Sequence, residues 1–182
     1  MTEFEKMKSS QLYYVNDADI LASKHRAGEL CAKLQIVNRF DDEIIRPLIR
    51  ELIPGIPDSA VLYPPFFCNH GSEIVVGKGV TIGSNCFFFD GAKIAIGAKT
   101  IIDSNCQLIT SIRPTDWMIR RESHETCLPI VIGNDCWLGA GVIVLPGVRI
   151  GNHCIIAPGS VVEKNIPDNS IVSGNPAVIS SL

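Results

Sequence analysis

The stretch IGNDCWLGAGVIVLPGVRIGNHCIIAPGSVV, residues 132–162, repeats with a period of six residues. Aliphatic residues open its units: Ile132, Leu138, Val144, Ile150, Ile156 and Val162. The fifth place of each unit is small or medium in size: Cys136, Val142, Val148, Cys154 and Ser160. A period of six fits neither a helix nor simple strand alternation, but it fits short strands joined by tight, glycine-rich corners. The repeat therefore predicts a β-helix, in which each coil stacks on its neighbours.

The same hexads extend towards the amino terminus, with one slip and one interruption. They start near Val76-Gly77, slip by two residues between Gly91 and Ile94, and resume at Ile96. Between residues 110 and 128 they stop, and the non-repeating segment SIRPTDWMIRRESHETC takes their place. A loop of this length in a regular scaffold is usually functional or disordered, and its Trp, Met, Ile and Arg content argues against disorder. We call residues 110–128 the excursion loop.

The amino-terminal part has helical spacing instead. Asp17 is placed to cap a helix whose apolar face carries Ile20, Ala27, Leu30, Cys31, Leu34 and Val37. A second apolar set from Ile44 to Ile53 also has helical spacing, with Pro47 in its first turn or bending it. The run Pro54-Gly55-Ile56-Pro57 ends this part. We therefore divide the chain into a helical segment, 1–58, and a β-helix with the excursion loop, 59–182.

Composition excludes several classes of function. The 182 residues are 46% hydrophobic, which suits one domain with a full core, and the net charge of -3 predicts no nucleic-acid partner. No apolar run reaches about 18 residues and MTEFEKMKSS has no signal core, so we expect a cytoplasmic protein without a membrane partner. Four of the seven cysteines, at 86, 106, 136 and 154, fall on the fifth hexad place. They are expected to be small buried side chains, and no metal site is predicted.

Several segments together carry a family resemblance. LYYVNDADIL, FFCNHGSEIVVG, GNDCWLGAGVIVLPGVRIG and SVVEKNIPDNSIVSGNPA, with the hexads between them, resemble the maltose and galactoside O-acetyltransferases of the hexapeptide-repeat family. The resemblance implies a left-handed parallel β-helix with three hexads per coil, assembled as a homotrimer. It also implies acetyl-coenzyme A as cosubstrate, bound between subunits. A loop histidine would take the proton from a small hydroxylated acceptor.

The resemblance departs from the family at this histidine. The family's loop has Thr, two variable residues and then His-Pro, whereas here Arg113 precedes Pro114. Arginine stays protonated and has no acceptor lone pair, so Arg113 cannot act as the base. The family's orienting carboxylate corresponds to Glu125, which is predicted to form a bidentate ion pair with Arg113. Alternatively, Arg113 binds an anionic substrate or polarises a carbonyl.

Two other histidines are candidate bases. His124 lies in the excursion loop beside Glu125, and His70 replaces an aromatic residue of the family's acceptor pocket. The resemblance places Asn69, Asn85 and Asp90 in that pocket, and Asp17 near it. For Asp17 a plain helix cap is the alternative, and a shift of two residues would place Val15 there instead. The neighbouring run Phe87-Phe88-Phe89 favours an apolar acceptor as much as a sugar.

On the coenzyme side, three positions match those of the family. Trp137 would pack against the pantetheine arm, the Ala140 amide would stabilise the oxyanion, and Lys164 would approach the phosphates. Other positions depart: Glu163 replaces a small hydroxyl residue, and Val178 and Ser181 stand where some relatives have arginines. Each lost charged contact costs about 1.5–3 kcal/mol, so coenzyme binding is expected to be weak.

Two functions therefore remain open from the sequence. The first is O-acetyl transfer from acetyl-coenzyme A with a non-standard base. The second is a repurposed scaffold whose interface cleft acts on, or binds, a small apolar, carbonyl-bearing or anionic molecule without coenzyme A. A catalytically inactive structural trimer is a third reading.

Overall fold

A computed structural model describes residues 1–180, and in it short helices precede a stack of short strands. Over these residues the helices are α1 (Glu3–Lys8), α2 (Ala18–Gln35), α3 (Asp42–Leu52) and α4 (Trp117–Arg121). The strands are β1 (Tyr13–Tyr14), β2 (Val61–Leu62), β3 (Phe66–Cys68), β4 (Ile74–Val76), β5 (Thr81–Ile82), β6 (Cys86–Phe89), β7 (Ile94–Ile96), β8 (Ile101–Ile102), β9 (Gln107–Ile109), β10 (Ser111–Ile112), β11 (His124–Cys127), β12 (Ile130–Ile132), β13 (Trp137–Leu138), β14 (Ile143–Val144), β15 (Arg149–Ile150), β16 (Ile155–Ile156), β17 (Val161–Val162), β18 (Ile171–Gly174) and β19 (Ala177–Ile179).

Three sheets of stacked strands form the faces of the β-helix. Their strand orders are β15-β12-β7-β4, β19-β18-β16-β13-β8-β5-β2 and β17-β14-β9-β6-β3. Within a sheet, neighbouring strands belong to successive coils, so Leu138 lies opposite Ile102 on one side and Ile156 on the other. The left-handed parallel β-helix that the sequence predicts is confirmed.

The first place of each hexad points into the core. Leu138, Val144, Ile156 and Val162 have no exposed surface, and Ile150 has almost none. Burying an aliphatic side chain of this size contributes about 1.5–3 kcal/mol, so the stacked rows stabilise the coil. The glycine that follows such a position allows the coils to approach. A Cβ on Gly133 would lie 2.5 Å from the carbonyl oxygen of Gly151.

The cysteines at the fifth hexad place are buried and reduced, as predicted. Each thiol also donates a hydrogen bond to a corner carbonyl of the following coil. Cys86 donates to Asp103 at 3.3 Å and Cys154 to Pro167 at 3.1 Å, and Thr100 uses its hydroxyl in the same way towards Gly133. A thiol or hydroxyl at this position pairs a buried corner carbonyl, whereas Val142 and Val148 fill the same place with an apolar side chain of similar size.

The helical segment packs directly against the coils. Asp17 caps α2 by accepting hydrogen bonds from the amides of Asp19 and Ile20. The buried face of α2 joins the same apolar core as the coil side chains, through Ala27, Leu30, Cys31 and Leu34. Helix α3 follows, and Pro47 lies in its interior rather than in its first turn.

The slip in the hexads is a corner of the coil. Residues 90–93 connect β6 to β7, and the Asp90 carboxylate accepts the backbone amides of Asn69 and His70 from the preceding coil, both at 2.9 Å. At the other end of the chain, β18 and β19 pair antiparallel after a turn at Gly174, whose φ is 105°. Ser181 lies outside the described residues.

The excursion loop leaves the coil after β9 and returns before β12. Its two ends meet, because the Leu128 amide donates to the Thr110 carbonyl at 2.8 Å. Within it, β10 and β11 form a hairpin around α4, and β1 adds to the other edge of β11 as a third antiparallel strand. The amino-terminal segment is thus tied to the loop by a small sheet of its own. Among residues 1–180 there is no helix long and apolar enough to span a membrane.

Candidate active site

Arg113 and Glu125 form the predicted ion pair, but through one carboxylate oxygen rather than in the bidentate form expected. Arg113 lies next to β10, and the hairpin register places it beside Glu125 on β11. One terminal guanidinium nitrogen lies 3.0 Å from the Glu125 Oε1 atom. The carboxylate side chain is only 11% exposed, whereas the arginine side chain is 67% exposed. The largely exposed guanidinium of Arg113 is therefore held on its protein side by the nearly buried carboxylate of Glu125.

Tyr13 holds the second oxygen of this carboxylate. Its hydroxyl lies 3.1 Å from Glu125 Oε2 and 3.6 Å from the Cys127 sulfur. Because a carboxylate can only accept, the tyrosine donates to Glu125 and is left to accept from the thiol. Burial raises the pKa of Tyr13 well above its usual value, and burial also raises the pKa of Cys127. Both groups therefore keep their protons at neutral pH, as this network requires.

His70, Asn69 and Asp90 form a separate buried cluster. His70 has no exposed surface, its Nδ1 lies 2.9 Å from the Ser23 hydroxyl, and its ring meets Phe4 edge-on. Burial, with a smaller effect of nearby lysines and an arginine, lowers the pKa of His70 to about 4. Burial raises the pKa of Asp90 to about 6, even though backbone amides donate to its carboxylate.

Two polar atoms of this cluster are buried without partners among residues 1–180, namely His70 Nε2 and Asp90 Oδ2. His70 is thus packed beneath α1 and α2 and is not brought to Arg113. A histidine with no accessible surface cannot reach an acceptor hydroxyl in this conformation.

The remaining acceptor-side candidates lie apart from each other. His124 is half-buried and follows strand alternation, so it faces away from its neighbour Glu125 and packs near Tyr14, with ring centroids 5.8 Å apart. Asn85 is at an exposed corner with a φ of 61°, and its side-chain amide donates to Asn105 at 2.6 Å. Asp17 is occupied as the cap of α2.

The coenzyme-side candidates lie on the coil surface. Trp137 is 41% exposed and its indole nitrogen donates to Asp103 at 2.9 Å, which fixes the ring against the sheet. Ala140 is exposed at the next corner; its carbonyl accepts from Gly159, while its amide has no acceptor among residues 1–180. Lys164 is exposed beside Glu163.

The aromatic run forms a wall with a small cavity. Phe88 points into the core, as expected, whereas Phe67, Phe87 and Phe89 face outwards. The rings of Phe67 and Phe87 stack with centroids 4.3 Å apart, and a cavity of about 240 Å³ lies against this wall and Asn69. A larger groove, about 640 Å³, runs along the corner near Arg149, Asn152 and Asp168. None of the predicted site residues lines this groove, and its Asn152 and Asp168 are already hydrogen-bonded to each other. We therefore do not assign the active site to it.

Sequence reasoning missed Tyr13, Cys127 and Asp103. The hexads could have pointed to Asp103, since it lies one coil before Trp137. The contribution of Tyr13 depends on the pairing of β1 with β11, and two strands 110 residues apart in sequence give no local signal.

Comparisons with known proteins agree with this architecture. Residues 129–164 match the family described as bacterial transferase hexapeptide (six repeats). A galactoside O-acetyltransferase of Lactococcus lactis is 29% identical over 98% of this chain and 87% of its own length.

Solved structures extend the likeness to the whole chain. The maltose O-acetyltransferase from Clostridium difficile superposes with a TM-score of 0.95 at 32% identity, covering 100% of this chain and 97% of that one. A hexapeptide-repeat acetyltransferase from Vibrio cholerae, solved with acetyl-coenzyme A, gives a TM-score of 0.83 at 31% identity, with 100% and 98% of the two chains covered.

Proposed function

Because this chain belongs to the hexapeptide-repeat acetyltransferases of the maltose and galactoside type, we propose that it transfers an acetyl group from acetyl-coenzyme A to the hydroxyl of a small acceptor. The observation that carries the proposal is the pair formed by Trp137 and Ala140. Trp137 has a fixed, partly exposed indole, and three residues later exposed Ala140 has an amide with no acceptor among residues 1–180. These two groups support the proposal of a groove that holds an acyl thioester. The groove is completed by a neighbouring subunit in the homotrimer that we propose.

The proposed reaction is direct transfer. The acceptor oxygen attacks the thioester carbonyl carbon, a C–O bond forms, the C–S bond breaks, and the coenzyme thiol receives a proton. The Ala140 amide donates to the oxyanion that develops on the carbonyl oxygen, and a donor of this kind is worth about 10²- to 10³-fold in rate. Lys164 contributes a positive charge for the coenzyme phosphates.

We assign the base to His124 rather than to His70. His124 is half-buried and lies on the excursion loop, whereas His70 is fully enclosed beneath α1 and α2. Arg113 is held by Glu125, which faces away from His124 on β11, so we propose that its exposed guanidinium reaches the acceptor from the side opposite His124 and donates hydrogen bonds with its unused donors. Asn69 and Asn85 remain proposed acceptor contacts. Asp90 is fully buried and is proposed to act indirectly, by holding the backbone amides of Asn69 and His70, and Asp17 is proposed to contribute through its cap of α2. We propose that the β-helix, 59–182, carries the coenzyme groove and that the helical segment, 1–58, supports the excursion loop.

Binding of acetyl-coenzyme A is the first test. Calorimetry on the purified protein is expected to show saturable binding, weakened by Lys164→Ala because one charged phosphate contact is lost. Lys78→Ala serves as a control, since Lys78 is likewise an exposed lysine between strands of the coil but lies outside the proposed groove. No heat of binding at millimolar acetyl-coenzyme A would refute the proposal.

The base is tested by thiol release from acetyl-coenzyme A with a panel of small hydroxylated acceptors. His124→Ala is expected to lower kcat by about 10² or more, while His25→Ala, at an exposed position of α2, should leave kcat unchanged. Equal activity of His124→Ala and the wild type would remove His124 from the mechanism. Arg113→His shows whether the family's usual residue restores a higher rate.

A second candidate function is favoured by the Arg113–Glu125 pair and by the aromatic wall. In it, the cleft binds or acts on a small anionic, carbonyl-bearing or apolar molecule without coenzyme A. Exposed Glu163 and Val178 weaken the expected coenzyme site and are consistent with this reading. It predicts that Arg113→His fails to raise, and Arg113→Ala abolishes, the native activity. An inactive structural trimer would tolerate both substitutions.

A further inference from the structure

Glu125 is fixed from two sides, and the two sides belong to different parts of the chain. Arg113, from the excursion loop, reaches Oε1 at 3.0 Å. Tyr13, from the amino-terminal strand β1, reaches Oε2 at 3.1 Å and has only 2% of its surface exposed. The strand pairing sets this contact, because Tyr13 and Glu125 are Cα partners in the β1–β11 ladder.

From this geometry we propose that Tyr13 is a positioning residue for Arg113. Its hydroxyl fixes the orientation of the Glu125 carboxylate, and the carboxylate in turn fixes the exposed guanidinium. The inference rests on the proposed function in one respect: Arg113 must contact the acceptor for its orientation to affect catalysis. The orientation itself is a property of the structure and can be measured without a substrate.

The groups around the Tyr13 hydroxyl restrict it to donating a hydrogen bond to Glu125. Cys127 lies 3.6 Å from the same hydroxyl and is fully buried. Gly91 closes the space behind it, since a Cβ there would lie 2.5 Å from the Cys127 sulfur. Because Tyr13 itself is only 2% exposed, its hydroxyl has no solvent partner, and its proton is committed to Glu125. If it is removed, a nearly buried carboxylate oxygen loses its donor and the carboxylate is free to rotate.

Tyr13→Phe is the test, with Tyr63→Phe as the matched loss of a hydroxyl outside the β1–β11 sheet. Nitrogen-15 NMR on arginine-labelled protein would follow rotation of the Arg113 guanidinium, whose signal is assigned by its disappearance in Arg113→Lys. Rotation is expected to be slow in the wild type and in Tyr63→Phe, and clearly faster in Tyr13→Phe. The same rate in all three would overturn the proposal.

Kinetics separate positioning from a loss of folding. In thiol-release assays, Tyr13→Phe is expected to raise KM for the acceptor about tenfold while KM for acetyl-coenzyme A stays close to wild type. The melting temperature should fall only by the few degrees that one lost buried hydrogen bond costs. Glu125→Gln removes the ion pair, and adding Tyr13→Phe to it should have no further effect on the acceptor KM. A proportional rise of both KM values, or full additivity in the double variant, would contradict the inference.

The failure of the proposed function is distinguishable from the failure of this inference. If the wild type transfers no acetyl group to any acceptor, the function is wrong, and the NMR comparison alone decides whether Tyr13 positions Arg113. If the wild type is active and the rotation is unaffected by Tyr13→Phe, the inference is wrong and the function stands.

Discussion

His70 and Asp90 make opposite contributions to the pH dependence of stability, and substituting each in turn should reveal them. His70 has a pKa of about 4 in the folded protein against 6.5 as an ordinary histidine. Between these values only the unfolded state binds the proton. The contribution of His70 is therefore fully present above about pH 6.5 and is lost as the pH falls towards 4. The difference between these two pKa values corresponds to about 3 kcal/mol in the free energy of unfolding.

Asp90 acts in the other direction. Its pKa is about 6 in the folded protein against 3.8 as an ordinary aspartate. The folded state now takes the proton first, so stability is gained as the pH falls from about 6 to below 4, again by about 3 kcal/mol. The two effects nearly cancel in the wild type, although both groups are fully buried.

The substitutions His70→Gln and Asp90→Asn keep the size of each side chain and remove one titration each. Asparagine also keeps an oxygen for the amides of Asn69 and His70. Urea unfolding between pH 4 and 7, at one protein concentration, gives the free energy of unfolding. Relative to wild type, we expect His70→Gln to gain stability on acidification and Asp90→Asn to lose it. Profiles parallel to the wild type for both variants would refute this reasoning.

Further predictions concern the coil, the cap and the site. Leu138→Ala should lower the free energy of unfolding by about 2–5 kcal/mol, since it leaves a cavity in a fully packed core; urea titration measures it, and a loss below 1 kcal/mol would contradict it. Asp17→Ala should cost about 1 kcal/mol through the lost cap of α2, and an unchanged melting temperature would argue against the cap. Gly91→Ala should destabilise by about 1–3 kcal/mol because the methyl group meets the Cys127 sulfur. Trp137→Ala should raise the Kd for acetyl-coenzyme A at least about tenfold, or ~1.4 kcal/mol, by calorimetry; unaltered affinity would place the coenzyme elsewhere.

The coil was predictable because its signal is local and repeated. Each hexad from Ile132 to Val162 places an aliphatic residue in the core, so this stretch alone predicted a β-helix. The left hand and the three hexads per coil came from the family resemblance, and Asp17 as a helix cap predicted the start of α2. The thiol hydrogen bonds of Cys86 and Cys154 were not predictable, since the period shows which side chains are buried but not which carbonyls they face.

The candidate site was predictable only where two residues share one hairpin. The Arg113–Glu125 pair was predicted from the family resemblance, which aligns Glu125 with the carboxylate that orients the loop histidine, and the ion pair is present through one carboxylate oxygen. The enclosure of His70 depends on α1 and α2 covering the first coil, which no spacing in the sequence encodes. The same holds for Tyr13, whose partner strand lies far along the chain.

The closed base of the excursion loop bears on how such proteins acquire new specificities. Because Thr110 and Leu128 meet at one corner, the segment between them is an insertion that can change in length and sequence while the coil keeps its register. A graft of this loop from a relative should carry β1 with it, however, since that strand completes the small sheet. The unit that evolution or an engineer exchanges is then discontinuous: a loop from the middle of the chain and a strand from its beginning.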